Sequence, residues 1–215
     1  MIEPTWAEAP LVAVDLEGTG SQDRDQEAIL EIAVVPITGG RPVPCSAYST
    51  LINPGRPVPR RPWISPGLND TVLSSAPPLG DVEPRLAERL TGSWIVGHNI
   101  AVDWRLLHRC CLSIQPAGLL DTLKLARAEH PGVRTGMGLT ALLDRYELTR
   151  ETAGAVPSGQ PHRALWDAVA AALLLTALVG RHWPTSPTLA QLREVAEIPL
   201  APTPPHSSPQ SDTLF

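Results

Sequence analysis

The sequence predicts an α/β domain built on a mixed sheet of five strands. Three apolar, β-branched stretches near the N-terminus, at residues 11–14, 28–37 and 45–52, are separated by short polar or glycine-containing loops. Short loops favour antiparallel neighbours. Two further short apolar stretches, near Trp94 and Leu119, each lead directly into a helix-like segment. We expect these two strands to run parallel to the first.

The first strand ends in two carboxylates. Asp15 and Glu17 follow the apolar residues 11–14, and Thr19 and Gly20 lie in the turn after them. Because side chains alternate along a strand, Asp15 and Glu17 leave the same face. Like charges at the end of a buried strand repel each other unless a cation lies between them, and hard oxygen ligands suit Mg²⁺ or Mn²⁺. Taken alone, the stretch fits an acidic turn as well as a metal site.

The second strand carries one charged residue, Glu31, for which a hydrogen-bonded structural carboxylate is favoured over a metal ligand. Residues 53–66 are too rich in proline for a regular element, so a solvated loop is favoured, although its arginines could meet phosphates. Apolar residues at helical spacing predict a helix at Leu79–Leu90.

Polar residues lie where the strand Trp94–Gly97 leads into a predicted helix at residues 100–111. His98 and Asn99 form the junction, and Asp103 lies in the first turn of the helix. A negative charge there is favoured by the helix dipole, so Asp103 alone fits a structural role. Such a junction is also typical of the ligand-binding edge of an α/β sheet.

The next segments are predicted to be mainly helical. Asp121 is predicted to be the N-cap of a helix at Thr122–Glu129, and another helix is predicted at residues 138–146. Residues 150–161 are small, polar and contain glycine, so a mobile loop is expected there.

Residues 162–179 form the strongest predicted helix, with His162 and Asp167 in its first turns and an apolar remainder typical of a core. A single His before a helix is usually a cap or surface residue, and a single early Asp is usually a dipole partner. Four carboxylates from three separate stretches, together with a His on a flexible approach, are harder to explain in that way.

Three motifs occur in order along the chain. D-x-E-x-T-G is residues 15–20, H-N-x-x-x-D is residues 98–103, and H-x-x-x-x-D is residues 162–167. Together they resemble the signature of the DnaQ-like superfamily, and four residues between the last His and Asp mark its DEDDh group of 3′–5′ exonucleases. The resemblance spans about residues 11–180. A finer similarity, to exodeoxyribonuclease X and its relatives, rests on residues 123–133, 161–175 and 183–192.

The resemblance implies a ribonuclease H-like fold, with three α/β/α layers around the mixed five-stranded sheet. It implies that Asp15, Glu17, Asp103 and Asp167 hold two Mg²⁺ or Mn²⁺ ions about 3.5–4 Å apart, with Asp15 shared by both. His162 would be the general base for hydrolysis of the terminal phosphodiester, which releases a nucleoside 5′-monophosphate.

The substrate is less determined by the motifs. We expect Thr19, Gly20, His98 and Asn99 to contact the strand end. The 3′ end of single-stranded DNA, in repair or proofreading, is favoured because of the similarity to exodeoxyribonuclease X. Short RNA ends are the alternative, because contacts to the 2′-OH cannot be placed. A non-catalytic module that binds nucleic-acid ends is a third hypothesis, against which the complete carboxylate set argues.

The sequence departs from its relatives at residues 66–69. These read Pro-Gly-Leu-Asn where relatives often carry His-Gly-Ile-Thr, so a His that helps to hold the substrate in some members is absent. This departure affects the expected grip on the terminal nucleotide and leaves the predicted metal ligands unchanged.

Composition indicates one domain with a real core, because 43% of the 215 residues are hydrophobic and 18% are charged. No uncharged apolar stretch of about 18 residues occurs, so no membrane span is expected. The net charge of −5 argues weakly against a broad nucleic-acid-coating surface, but not against a site that grips a short strand. Three cysteines without a disulfide pattern, and no signal peptide, favour a cytoplasmic location.

Residues 1–198 are predicted to form the exonuclease domain, and residues 199–215 a disordered tail rich in Pro and Ser. The tail ends in a segment that reads roughly Q-x-x-L-F, with Gln210, Leu214 and Phe215 at its key positions. It resembles the short peptides through which bacterial replication and repair proteins bind the sliding clamp. Because six-residue matches are common, an unremarkable terminus is the alternative.

Overall fold

A computed structural model describes residues 4–20, 22 and 26–200 of the chain. The described residues form one mixed sheet of seven strands, in the order β3-β2-β1-β5-β6-β7, with β4 also beside β2. The strands are β1 (Leu11–Gly18), β2 (Ile29–Thr38), β3 (Arg41–Pro42), β4 (Tyr48–Leu51), β5 (Trp94–Gly97), β6 (Gly118–Asp121) and β7 (Glu197–Ile198).

All five predicted strands are present with the predicted directions. β1 is antiparallel to β2 and parallel to β5, and β5 is parallel to β6. The two additional strands, β3 and β7, have two residues each and pair at the edges with β2 and β6. Such short strands have no apolar pattern to predict them. The strand expected at residues 45–52 begins later, because Pro44–Ser46 forms a 3₁₀ turn.

Helices cover both faces of the sheet. One core cluster joins one face to α2 (Leu79–Leu90) and α3 (Ala101–Cys110). A second cluster joins the opposite face to five helices. These are α4 (Thr122–Glu129), α5 (Leu139–Arg145), α6 (Thr149–Ala155), α7 (Ala164–His182) and α8 (Leu189–Ala196), while the short α1 (Asp70–Leu73) precedes α2. The predicted three-layer α/β/α fold is therefore confirmed.

The prediction of a mobile loop at residues 150–161 is wrong over its first half, where α6 forms. Thr152 is fully buried, and its hydroxyl donates a hydrogen bond to the Leu148 carbonyl. α6 packs against α7, with Val156 in the shared core. Short helices owe most of their stability to packing, which the local composition does not reveal.

The predicted helix at residues 162–179 is confirmed as α7, displaced to Ala164–His182. It begins later because His162 has a φ of 64°, a left-handed conformation incompatible with an α-helix. Among the described helices, α7 alone has the length and hydropathy of a membrane span, and 67% of its most apolar window is buried within the protein. It packs along β1 and β2 as the central helix of its layer.

Candidate active site

Three of the motif carboxylates meet at the end of β1. Carboxylate oxygens of Asp15, Glu17 and Asp167 lie within 4.8 Å of one another. Asp15 and Glu17 leave β1 on the face covered by α7, as the alternation of side chains requires, and Asp167 lies in the first turn of α7. Residues far apart in the chain thus form one group that could hold a metal ion.

Asp103 reaches the same place from α3. Its Oδ1 accepts a hydrogen bond from the Leu16 backbone N–H at 3.3 Å, which places the carboxylate beside the backbone between Asp15 and Glu17. Its charge repels those of both neighbours. The two helix layers therefore each supply one acid to the pair on β1.

Burial and mutual repulsion disfavour negative charge in this cluster. Burial is the largest cause of every shift, and it raises the pKa of Glu17 and of Asp103 to about 7 and that of Asp167 to about 6. The pKa of Asp15 is raised well above its usual range by burial and then by repulsion from Asp103, Asp167 and Glu17. A divalent cation would relieve this repulsion, and an all-oxygen donor set is the type that Mg²⁺ and Mn²⁺ prefer.

His162 lies beside the cluster with an exposed side chain. Its backbone N–H donates to Oδ2 of Asp167 at 3.1 Å. A positive φ in a residue other than glycine costs of order 1–3 kcal/mol and persists only where its surroundings impose it. The hydrogen bond to Asp167 is one such restraint, and it ties the imidazole-bearing residue to one of the four acids.

Arg163 supplies a second restraint, which the motifs did not indicate. Its Nε and Nη2 donate to the buried Glu31 carboxylate at 2.7 and 2.9 Å. Glu31 lies on β2 directly opposite Glu17 in the strand register. The structural role predicted for Glu31 is confirmed, and the ion pair fixes the start of α7 to the sheet.

His98 and Asn99 hold the turn between β5 and α3. The two ring nitrogens of His98 are engaged, Nδ1 with the Thr122 hydroxyl at 3.0 Å and Nε2 with the Met137 carbonyl at 2.9 Å. Burial lowers the pKa of His98, which favours its neutral form. The Asn99 backbone N–H donates to Asp121 at 2.9 Å. Contact of these two residues with substrate remains a prediction, whereas their part in shaping this turn is visible.

Asp121 has the predicted capping role. Its Oδ1 also accepts the Leu123 backbone N–H at 2.8 Å, at the start of α4. The same carboxylate therefore caps one helix and fixes the turn that precedes another.

The proline-rich loop packs onto the end of β1, which the sequence did not indicate. The Trp63 indole N–H donates to the Thr19 carbonyl at 3.1 Å, and the Ser65 hydroxyl donates to the Glu17 carboxylate. Thr19 is buried, and its hydroxyl accepts the Ala28 backbone N–H at 3.0 Å. These are long-range contacts of an irregular segment, so no local periodicity could predict them.

The comparison with protein families agrees with this geometry. The model of the family described as "Exonuclease" matches residues 12–175. The chain belongs to this exonuclease family. The motif-based identification of a DnaQ-like DEDDh 3′–5′ exonuclease domain is confirmed.

Two curated relatives illustrate the family. A "DNA polymerase III subunit epsilon-like protein" of Rhodobacter capsulatus is 34% identical over 191 residues, which cover 83% of this chain and 26% of that protein. The "DNA polymerase III subunit epsilon" of Aquifex aeolicus is 28% identical over 176 residues, 80% of this chain and 81% of that protein. The chain spans less than a third of the length of several curated relatives that it matches, the Rhodobacter protein among them.

Solved structures share the fold. Exonuclease X in complex with 5′-overhanging duplex DNA superposes with a TM-score of 0.65 at 29% identity, over 85% of this chain and 98% of that one. Exonuclease I of E. coli, in complex with a dA16 oligonucleotide, has a TM-score of 0.60 at 13% identity over 86% of this chain and 42% of that one, which shows the fold alone.

Proposed function

We propose that this chain is a metal-dependent 3′–5′ exonuclease that removes nucleoside 5′-monophosphates from the 3′ end of single-stranded DNA. The observation that carries the proposal is the convergence of Asp15, Glu17, Asp103 and Asp167 from β1, α3 and α7. DNA is favoured over RNA because Exonuclease X, at 29% identity, was solved with DNA. A role in repair or proofreading and a cytoplasmic location belong to the same proposal.

The four acids would hold two Mg²⁺ or Mn²⁺ ions. When bound, such a pair supplies a reactive water at neutral pH and neutralises charge on the departing 3′-oxygen. Hydrogen bonds within the chain orient two of these carboxylates without a metal ion. The Ser65 hydroxyl orients Glu17, and the Leu16 N–H orients Asp103.

His162 would accept the proton of the attacking water at a ring nitrogen. Histidine is the side chain that most often serves as a general base in enzymes. The side chain is exposed, while its backbone is held by Asp167 and its neighbour Arg163 by Glu31. The ring is therefore free to turn towards a bound strand end from a fixed point of attachment.

The proposal is tested by product analysis on end-labelled oligonucleotides with Mg²⁺, Mn²⁺ or chelator. We expect release of mononucleotides from the 3′ end of single-stranded DNA, loss of release in chelator, and loss in Asp15→Ala. Faster release from a matched RNA would replace the DNA proposal by the exoribonuclease alternative. Binding of ends without hydrolysis under every metal condition would indicate the non-catalytic module.

The sliding clamp is a proposed partner of the tail. Gln210, Leu214 and Phe215 lie outside the described residues, so this proposal is supported by their sequence pattern alone. Two apolar anchors on a tether could occupy a hydrophobic groove on the clamp while the nuclease domain engages the strand end.

A further inference from the structure

Trp63 is a large aromatic side chain that is both exposed and fixed. It is 46% exposed, yet its indole N–H is bound to the Thr19 carbonyl. One edge of the ring lies on Gly20, where an added Cβ would come within 2.5 Å of the indole nitrogen. The turn after β1 therefore holds the ring in one orientation and leaves part of it open to solvent.

The exposed ring lies next to the acid cluster. Ser65, two residues further along, donates its hydroxyl to Glu17. Thr19 and Gly20, which Trp63 contacts, follow Glu17 by two and three residues. The loop thus borders both the acid cluster and the turn after β1.

A cationic side chain lies over the ring. The guanidinium of Arg61 lies 5.7 Å from the centroid of the Trp63 ring. Arg60 and Arg61 both line an adjoining cavity of about 750 Å³, to which Ser65 also contributes. Among the described residues that line the cavity, Asp70 is the one that is acidic, and its Oδ1 already accepts the Val58 backbone N–H at 2.7 Å.

We propose that Trp63 is a stacking platform for a base within the terminal two nucleotides of the substrate, and that Arg60 and Arg61 bind the phosphates that follow on the 5′ side. This inference rests on the proposed function and names the substrate contact of that site. A rigid aromatic face next to guanidinium groups is a combination that binds single strands without sequence preference. Arginine over the ring adds positive charge where a phosphate would approach.

The test separates stacking from a structural role by removing the base as well as the ring. Binding of a 5′-labelled single-stranded oligonucleotide is measured by fluorescence anisotropy in a chelating buffer. The full-length chain carries Asp15→Asn, so that the strand stays intact. Trp63→Leu is compared with Trp63→Phe, which keeps an aromatic face and loses the N–H donor. Each variant is tested on intact DNA and on DNA with one abasic site at position 1, 2 or 6 from the 3′ end.

We expect Trp63→Leu to weaken binding of intact DNA by roughly tenfold and Trp63→Phe by much less. The effect of Trp63→Leu should vanish on DNA that is abasic at position 1 or 2 and persist on DNA that is abasic at position 6. The inference is overturned if the Trp63→Leu variant binds intact DNA as tightly as the Asp15→Asn chain that keeps Trp63. It is also overturned if Trp63→Leu lowers the affinity by the same factor on all the abasic strands.

Failure of the proposed function has a different signature, which is the absence of metal-dependent hydrolysis by the wild-type chain. If the wild-type chain hydrolyses DNA and the inference holds, Trp63→Leu should raise KM by about the same factor as it weakens binding and leave kcat nearly unchanged. A lower kcat with an unchanged KM would show that Trp63 acts by positioning Ser65 and, through it, Glu17. That result would overturn the stacking role.

Discussion

Glu31 on β2 and Arg163, the residue after His162, form an ion pair with two hydrogen bonds. The two bonds measure 2.7 and 2.9 Å, and Glu31 also accepts the Ala164 N–H at 3.4 Å. The Glu31 side chain is 6% exposed and that of Arg163 is 32% exposed. One buried carboxylate therefore holds the segment that carries both His162 and the start of α7.

Removal of this carboxylate should destabilise the fold and impair catalysis. We expect Glu31→Gln to lower the free energy of unfolding by about 2–3 kcal/mol, because breaking a largely buried pair leaves a guanidinium without its counter-charge. It should also lower kcat, since the backbone of His162 loses a support. Denaturant titration and steady-state kinetics measure the two effects.

Glu151→Gln is the matched control, because the Arg41–Glu151 pair is exposed on both sides, at 64% and 47%. Exposed pairs contribute about 0–1 kcal/mol. Equal effects of the two substitutions would show that the Glu31–Arg163 pair has no special role.

The raised carboxyl pKa values predict an unusual dependence of stability on pH. In chelator, the folded chain keeps protons on Glu17, Asp103 and Asp167 up to about pH 6–7, whereas the unfolded chain releases them near pH 4. The folded state therefore binds more protons in this window, and the free energy of unfolding should fall as the pH rises from about 4 to 7. A stability that rises across this window would contradict the account.

Divalent cations should restore the stability that the metal-free chain loses as the pH rises. We expect Mn²⁺ at about 100 times its Kd to add about 2.7 kcal/mol to stability at pH 8, or roughly 8 °C in Tm. The gain should be much smaller at pH 5, where protons compete for the same oxygens. Thermal melts at the two pH values provide the measurement, and equal gains at both would point to a different binding site.

Asp103→Asn should have opposite effects on the stability of the metal-free fold and on metal binding. The amide oxygen can still accept the Leu16 N–H, while a repelling charge is removed. We expect the Tm in chelator at pH 8 to rise by about 3 °C, which corresponds to about 1 kcal/mol, and the stabilisation by Mn²⁺ to fall sharply. A lower Tm in chelator would show that repulsion in the cluster is not what limits stability.

Gly20→Ala should displace Trp63. The new Cβ would lie 2.5 Å from the indole nitrogen, at a φ of +93°. Gly39→Ala is the control for backbone strain alone, because Gly39 has a φ of +58° and no atom within 4 Å of an added Cβ. We expect both variants to lose about 1 kcal/mol from the positive φ, and Gly20→Ala alone to change tryptophan fluorescence and raise KM. Identical behaviour of the two variants would mean that the ring does not depend on this contact.

Deletion of residues 210–215 should affect the sliding clamp as a partner and not the nucleic-acid substrate. We expect weaker binding to a sliding clamp and unchanged hydrolysis of free oligonucleotides, because the two apolar anchors lie beyond the nuclease domain. Affinity is measured by surface plasmon resonance, with Leu214→Ala and Phe215→Ala as the minimal variant. Retained affinity would leave the tail without this role.

The sequence was sufficient for the features that depend on local geometry. Alternation along β1 places Asp15 and Glu17 on one face, and the apolar pattern of α7 identifies the central helix. The joining of Asp103 and Asp167 to this pair was predicted from ordered motifs, because no local rule relates residues on different elements.

The features that the sequence did not predict depend on contacts between distant parts of the chain. α6 is held by its packing against α7 rather than by its own propensity, so its composition predicts a loop. Trp63 and Ser65 act on the site through one hydrogen bond each, and Arg163 through two, to residues 44–132 positions away. No periodicity marks such contacts in the sequence.

The most direct test of the account is anomalous X-ray scattering from crystals soaked in Mn²⁺. We predict two strong anomalous peaks about 3.5–4 Å apart, both within coordination distance of Asp15 and enclosed by Glu17, Asp103 and Asp167. Full Mn²⁺-dependent hydrolysis without an anomalous peak at these four carboxylates would contradict it.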